Sequence, residues 1–337
     1  MAVFFCGVGN CVSAIVEIKK NVSTDKKITI IGAAILDVLA GPVNEQIFQT
    51  GSQPMETIGL SFGGDALNEA IALSRLGKKV QLISKVGKDE AGNRVIDFVK
   101  DCGLATEGII QEEGLTTGIN IVLIDDKGER HFLTNPSGSL RRLSKEDILP
   151  YEKITGEIVS FASMFVSPLL DIPAMEQVFR GMKSQPGRIL VVDMTKAKGG
   201  ETLEDIKCLL PYIDYILPNE DEIALLTGIC DSRKNAELLV ESGVGCAVIK
   251  CGAKGCVIAS KVGSFEVQAY PVKTVADTTG AGDCFAAGFL WGLSQGLEIR
   301  ECGKLACAVA SCAVEQVGAT EGIVSAEECI QRYKSLE

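Results

Sequence analysis

The chain reads as an α/β protein: a central, mostly parallel sheet flanked by helices on both faces, with a small additional β element. Three observations predict this. Short β-branched runs alternate with helically spaced apolar stretches, a rhythm that produces parallel strands joined by crossover helices. Two short β regions, residues 38–62 and 118–135, fall outside that rhythm and are suited to one small sheet standing off the main domain. Glycine- and acid-bearing turns at Gly63–Asp65, Asn219–Glu222 and Gly280–Asp283 each open a helix, and open α/β sheets bind ligands at such turns.

Taken in order, Ile28-Thr29-Ile30-Ile31-Gly32 predicts a buried strand that leads to Asp37. Gly41-Pro42, Gly51 and Pro54 then mark short exposed strands. The spacing predicts a helix over Asp65 to Leu76 stopped by Gly77, a strand over Val80–Ser84, and a helix over Ala91 to Cys102 stopped by Gly103. Gly118–Ile124 and Arg130–Thr134 flank Asp125-Asp126-Lys127-Gly128, a hairpin signal. Strands follow near 157–166, 188–193, 213–217, 246–250 and 256–260, with helices near 172–184, 202–210, 220–227 and 232–242. Two strongly helical stretches, 282–295 and 300–316, come last. Residues 28–337 are expected to form one domain behind an N-terminal extension, residues 1–27. The apolar start contains Gly7, Gly9 and Asn10 and lacks a basic region and a cleavage site, so it reads neither as a signal peptide nor as a span.

Hydrophobic residues make up 46% and charged residues 23% of the 337, a soluble globular balance. The net charge of −11 argues against nucleic acid or an anionic membrane as partner, since either needs a basic face. The 13 cysteines form no CxxC and His131 is the single histidine, which disfavours a zinc site and fits the reducing cytoplasm.

The segment Asp277-Thr278-Thr279-Gly280-Ala281-Gly282-Asp283 carries the most chemistry. Small residues at a helix start let backbone N–H groups approach an anion, and the helix end adds partial positive charge. Asp283 beside such an anion hole suits a general base that deprotonates a hydroxyl attacking a nucleotide's terminal phosphate. The alternative is a glycine turn with a helix-capping acid. In Gly63-Gly64-Asp65-Ala66-Leu67-Asn68, the glycines admit a ligand against the backbone, while Asp65 and Asn68 suit hydroxyl groups, or Asp65 merely caps the helix. Asn219 and Glu222 follow a strand and are placed to orient water around Mg²⁺, or to cap a helix. Lys250, Gly252, Ala253 and Gly255 form a strand and turn that either touch nucleotide phosphates or make an ordinary hairpin. Asp193 and Lys196 are minor candidates at another strand end, and His131 reads as structural. Neither GxGxxG nor a P-loop occurs.

These four turns, in this order, resemble the ribokinase-like, PfkB-type carbohydrate kinases. Gly63 to Gly87, with Asn68, Ala70 and Gly77, is similar to that family's N-terminal pattern, and Asp277 to Phe289 to its C-terminal one. Asn219 and Glu222 match its N-x-x-E element, and the resemblance spans about residues 28–331. It implies transfer of the γ-phosphoryl group of ATP to a sugar or nucleoside hydroxyl. Asp283 would then be the base, and Gly280, Ala281 and Gly282 the anion hole. Asp37, Gly63, Gly64, Asp65 and Asn68 would hold the substrate. Asn219, Lys250, Gly252, Ala253, Gly255 and Cys307 would border the nucleotide, with Glu222 holding Mg²⁺ through water. It also implies a lid made of the two short β regions, a homodimer through that lid, and a monovalent cation such as K⁺ near Ala276 and Asp277. Ile35, Val166 and Cys307 depart from ribokinase proper, where Asn, Glu and Asn are usual, and the first two weaken ribose as acceptor. The Gly-Gly-Asp-x-Leu-Asn form is closer to 2-keto-3-deoxygluconate kinases, for which Arg130 and His131 are the available carboxylate partners. A nucleoside kinase is the alternative within the fold. A non-catalytic sugar-binding regulatory protein is the alternative outside it, and would predict loss of Asp283 or of the glycine turn. A sugar-phosphate kinase would need added Lys or Arg, and residues 38–62 contain none.

Overall fold

Strands that are apolar along their whole length must be covered on both faces, and such strands form the centre of this molecule. The computed structural model describes residues 26–126 and 129–336, so the expected N-terminal extension lies almost wholly outside the described residues. The main sheet has nine strands in the order β13-β12-β11-β10-β9-β8-β1-β4-β5. They are β1 (Ile28–Ile31), β4 (Val80–Gly87), β5 (Ile109–Glu112), β8 (Ile158–Met164), β9 (Ile189–Met194), β10 (Tyr215–Ile216), β11 (Cys246–Lys250), β12 (Cys256–Ser260) and β13 (Gly263–Val267). The run from β5 to β11 is parallel, and β12 and β13 add an antiparallel edge. Every residue of β1 and β8 is buried.

Helices cover both faces. One core layer packs Leu67 and Ile71 of the helix Asp65–Arg75 with Phe289 and Trp291 of the helix Ala281–Ser294. The other packs Phe179 and Met182 of Ile172–Lys183 with Ile223 of Glu220–Thr227 and Leu239 of Ser232–Glu241.

The two short β regions do form one sheet, in the order β3-β2-β6-β7, where β2 is Ile35–Val43, β3 Thr57–Gly63, β6 Ile119–Asp125 and β7 Arg130–Thr134. Side chains alternate across a strand, and the register sorts them into two faces. Asp37, Asn120, Val122 and Arg130 share the inner one, and Leu60, Val38, Ile121 and Leu133 form a row across the outer one.

Some expectations need correction. Residues 202–210 are not a helix but consecutive turns leading to a 3-10 turn at Leu210–Tyr212. Ile206, Leu209 and Leu210 are buried as their spacing suggested, but Pro211 lacks the N–H that would continue a helix. The strand expected near 213–217 is reduced to Tyr215–Ile216, and the last long helix ends at Ala313. Strands β5 and β13 and the helix Ala326–Lys334 were not anticipated. In β5 only Ile109 is buried, which leaves little hydrophobic signal. No described helix is long and apolar enough to cross a membrane.

Candidate active site

The site is built where strand ends meet helix starts. Gly280, with φ 70°, stands at the N-cap of the helix Ala281–Ser294. A Cβ there would lie 2.5 Å from the Ala319 carbonyl oxygen, so only glycine fits. The Ala281 amide, expected in the anion hole, donates instead to the Thr278 carbonyl oxygen at 3.2 Å, and the Gly282 and Asp283 amides, which precede the first helical bond from Cys284 N to Gly280 O, are the ones available to an anion. Asp283 lies in the first turn, half-buried, with Oδ2 accepting from Asn68 Nδ2 at 2.7 Å. Burial, then the nearby Asp65 carboxylate, pushes Asp283 up to about 7, with the Asn68 hydrogen bond opposing.

Gly64, at φ 101°, takes the N-cap of the helix Asp65–Arg75, so Asp65 does not cap it. Asp65 instead lines the cavity, half-buried, and is pushed up to about 6 by desolvation and by Asp193, with Ser163 and Lys250 opposing. Lys250 does not stand free for phosphates: its Nζ is 2.6 Å from Asp193 Oδ2 in a buried ion pair. The same Nζ lies 3.4 Å from the place a Cβ on Gly282 would occupy, so this cation sits against the anion-hole loop. At the helix Glu220–Thr227 the capping alternative is realised: Asn219 Oδ1 accepts from Glu222 N at 2.9 Å, and Glu222 Oε2 from Asn219 N at 2.8 Å. Glu222 still lines the cavity, and burial pushes it up to about 7 against the attraction of Lys250.

A cavity of about 700 Å³ runs through these groups. Of the residues expected from sequence, Asp65, Asn219, Glu222, Lys250, Gly252, Ala253, Gly255, Ala281, Gly282, Asp283 and Cys307 line it. Gly280, Gly63, Gly64, Asn68 and Asp37 do not. Asn68 reaches it through Asp283. Asp37 belongs to the lid sheet, packed on Gly63, where a Cβ would lie 2.7 Å from its Oδ2. Lys196 lies outside the lining. His131 is exposed on the outer lid face beside Asp125, and Arg130 pairs with Asp277, so neither is free to hold an acceptor carboxylate. Asn120 was missed: buried on the inner lid face, it donates Nδ2 to Asp37 Oδ1 at 3.0 Å. Its only sequence signal is a polar residue in an inward-facing strand position. Tyr270, Pro271, Val272 and Val275, which line the same cavity as Cys307, were also missed, for their segment has no periodicity.

The residues fit nucleotide and metal. Asp65, Glu69, Asp193, Glu222 and Asp283 influence one another's charge around Lys250, and their carboxylates outnumber the cations near them, an arrangement suited to a divalent ion. Buried Oδ1 atoms of Asn68 and Asn120 have no hydrogen-bond partner, a set suited to hydroxyl groups.

A large, mostly parallel sheet with a smaller separate sheet, and a carboxylate beside a glycine turn at a helix start, are the features of the ribokinase-like fold. The family model for pfkB family carbohydrate kinases matches residues 25–326, and the chain belongs to that family. It is 35% identical over 265 residues to a protein of Archaeoglobus fulgidus named as a sugar kinase, covering 75% of this chain and 98% of that one. It is 27% identical to a 2-dehydro-3-deoxygluconokinase of Haemophilus influenzae, covering 82% of this chain and 93% of that one. The crystal structure of a ribokinase from Thermotoga maritima superposes with a TM-score of 0.78 at 25% identity, covering 92% of this chain and all of that one. A putative ribokinase II from E. coli, in complex with ATP and Mg²⁺, superposes at 0.76 with 23% identity, covering 91% and 99%.

Proposed function

We propose that the protein is an ATP-dependent kinase that transfers the γ-phosphoryl group to a hydroxyl of a sugar or related polyol. The observation that carries this reading is Asp283, a half-buried carboxylate pushed up to about 7 that lines the cavity in the first helical turn after Gly280. The acceptor hydroxyl gives its proton to Asp283 as its oxygen attacks the γ-phosphorus, and the bond to the β-phosphate oxygen breaks. The Gly282 and Asp283 amides take up the charge on the phosphoryl oxygens, and the Lys250 ammonium, held by Asp193 against Gly282, adds its field. Asp37, Asn120 and Asn68 hold the acceptor's other hydroxyls. Glu222 would hold Mg²⁺ through water, and that ion supplies charge neutralisation to the phosphates. Gly252–Gly255 and Cys307 border the nucleotide. The free-thiol state of the described cysteines fits a cytoplasmic location.

ADP release from Mg-ATP across a panel of sugars, sugar acids and nucleosides tests the reading. Acceptor-dependent release with a sugar supports it. Release with nucleosides alone overturns the acceptor class. Silence throughout, with ATP bound, overturns the kinase.

A pH dependence follows. Asp283 must be ionised to act, so log kcat/KM for the acceptor is expected to rise with unit slope and level off above about 7. The Asn68 N–H favours the ionised form, so Asn68→Ala is expected to shift that midpoint upward by about one unit, the size of one hydrogen bond to a charge. An unmoved midpoint would separate Asn68 from the base.

We also propose a homodimer through the outer lid face. Ile58, Leu60, Ile121 and Leu133 are 74, 52, 43 and 56% exposed there, an apolar patch on an otherwise acidic protein. Leu60→Asp is expected to give a monomer by light scattering. An unchanged mass would place the contact elsewhere.

A further inference from the structure

Asp277 sits at the joint of three segments. Its Oδ1 accepts the Thr279 N–H at 2.9 Å, one residue before the anion hole. Its Oδ2 accepts the Gly318 N–H at 2.9 Å, from the loop after the helix Ile299–Ala313. Gly318 adjoins Ala319, whose backbone packs on Gly280 closely enough to exclude any Cβ, so the two loops shift together. The third segment is the lid. Arg130, on the inner face of β7, pairs through Nη2 with Asp277 Oδ2, and the two side chains are only 17% and 8% exposed. Among the ion pairs between described residues, this one alone joins a strand of the lid sheet to the main domain. Both carboxylate oxygens are therefore engaged, and the positive charge that so buried an acid requires is already present. The residues thus do not fit a monovalent cation held by Asp277.

We propose that Arg130 is a positioning residue, whose lid-borne guanidinium neutralises Asp277, ties lid closure to the shape of the Gly280–Gly282 hole, and makes a monovalent cation there unnecessary. With the lid sheet closed on the main domain, as it is here, the guanidinium holds Asp277 and Asp277 holds Thr279 and Gly318 in register; opening the lid would withdraw the guanidinium and loosen both loops. The anion hole is then held in shape only while the lid is closed, which limits transfer of the phosphoryl group to water. The inference rests on the kinase reading for its kinetic part, and on the geometry alone for its structural part.

The test uses the full chain with Arg130→Met and Arg130→Lys. In the ligand-free proteins, amide hydrogen exchange over residues 276–283 is expected to be faster in the Met variant and restored in the Lys variant. With the accepted sugar, the Met variant is expected to lose about 100-fold in kcat while KM for ATP stays close to that of the native enzyme, the scale of a small misplacement of catalytic groups. The Lys variant should recover most of it. Native turnover is expected to be the same in K⁺ and in a bulky organic cation, with K⁺ stimulating the Met variant alone. Strong K⁺ activation of the native enzyme would overturn the proposal, as would native exchange rates in the Met variant. If no acceptor is phosphorylated at all, the kinase reading falls, and the exchange measurement still decides the coupling between lid and loop.

Discussion

Asp283→Asn is expected to lower kcat by about 10³- to 10⁴-fold, the contribution of a positioned general base, while Mg-nucleotide affinity stays within a few-fold. The substitution keeps the shape of the side chain and its contact with Asn68, so the anion hole and cavity walls should survive. What it removes is the carboxylate that stands in the first turn after Gly280 and accepts from Asn68. Turnover close to native in Asp283→Asn would remove it from the base role.

The second large effect is expected at Lys250. Its ammonium lies 2.8 and 2.6 Å from the two oxygens of Asp193, with the side chains 12% and 7% exposed. Lys250→Met leaves Asp193 buried without a counter-charge, which is expected to cost about 3–5 kcal/mol. The measurement is the urea midpoint at constant slope. In the variant the folded-state Asp193 holds its proton more tightly than the unfolded chain does, so the deficit should be smallest in acid and grow as pH rises through the folded value. Adding Asp193→Asn should restore stability, because a neutral amide needs no cation. It should not restore turnover, because the positive charge against Gly282 is still missing. Restored turnover in the double variant would confine Lys250 to a structural part.

Local pattern carried much of this fold. Apolar runs with glycine stops placed most strands of the main sheet within a few residues, since fully buried strands leave an uninterrupted signal, as at Ile158–Met164. Helix starts were legible at Gly64 and Gly280 because a positive φ and a close backbone approach require glycine there. The 202–210 stretch misled because buried apolar spacing also serves a stack of turns before Pro211. Within the site, residues that carry chemistry inside a motif, such as Asp283, Asn68 and Glu222, could be named, though the partners that tune them could not. Asp193 is 57 residues from Lys250, and Arg130 is 147 from Asp277. Asn120 meets Asp37 only through the parallel pairing of β2 with β6. Such contacts are set by topology and leave no mark on local periodicity. Asn219 and Glu222 show the opposite case, since one pair of residues serves as a helix cap and as the cavity wall together.

The central claim is phosphoryl transfer from ATP to a hydroxyl with Asp283 as base. Its most direct test is ³¹P NMR of the native protein with Mg-ATP and a pool of sugars. The account predicts a new phosphate-ester resonance growing in equal amount with ADP, and no such resonance on the same timescale with Asp283→Asn. ADP accompanied only by inorganic phosphate, or an unchanged ATP spectrum with nucleotide bound, would contradict it.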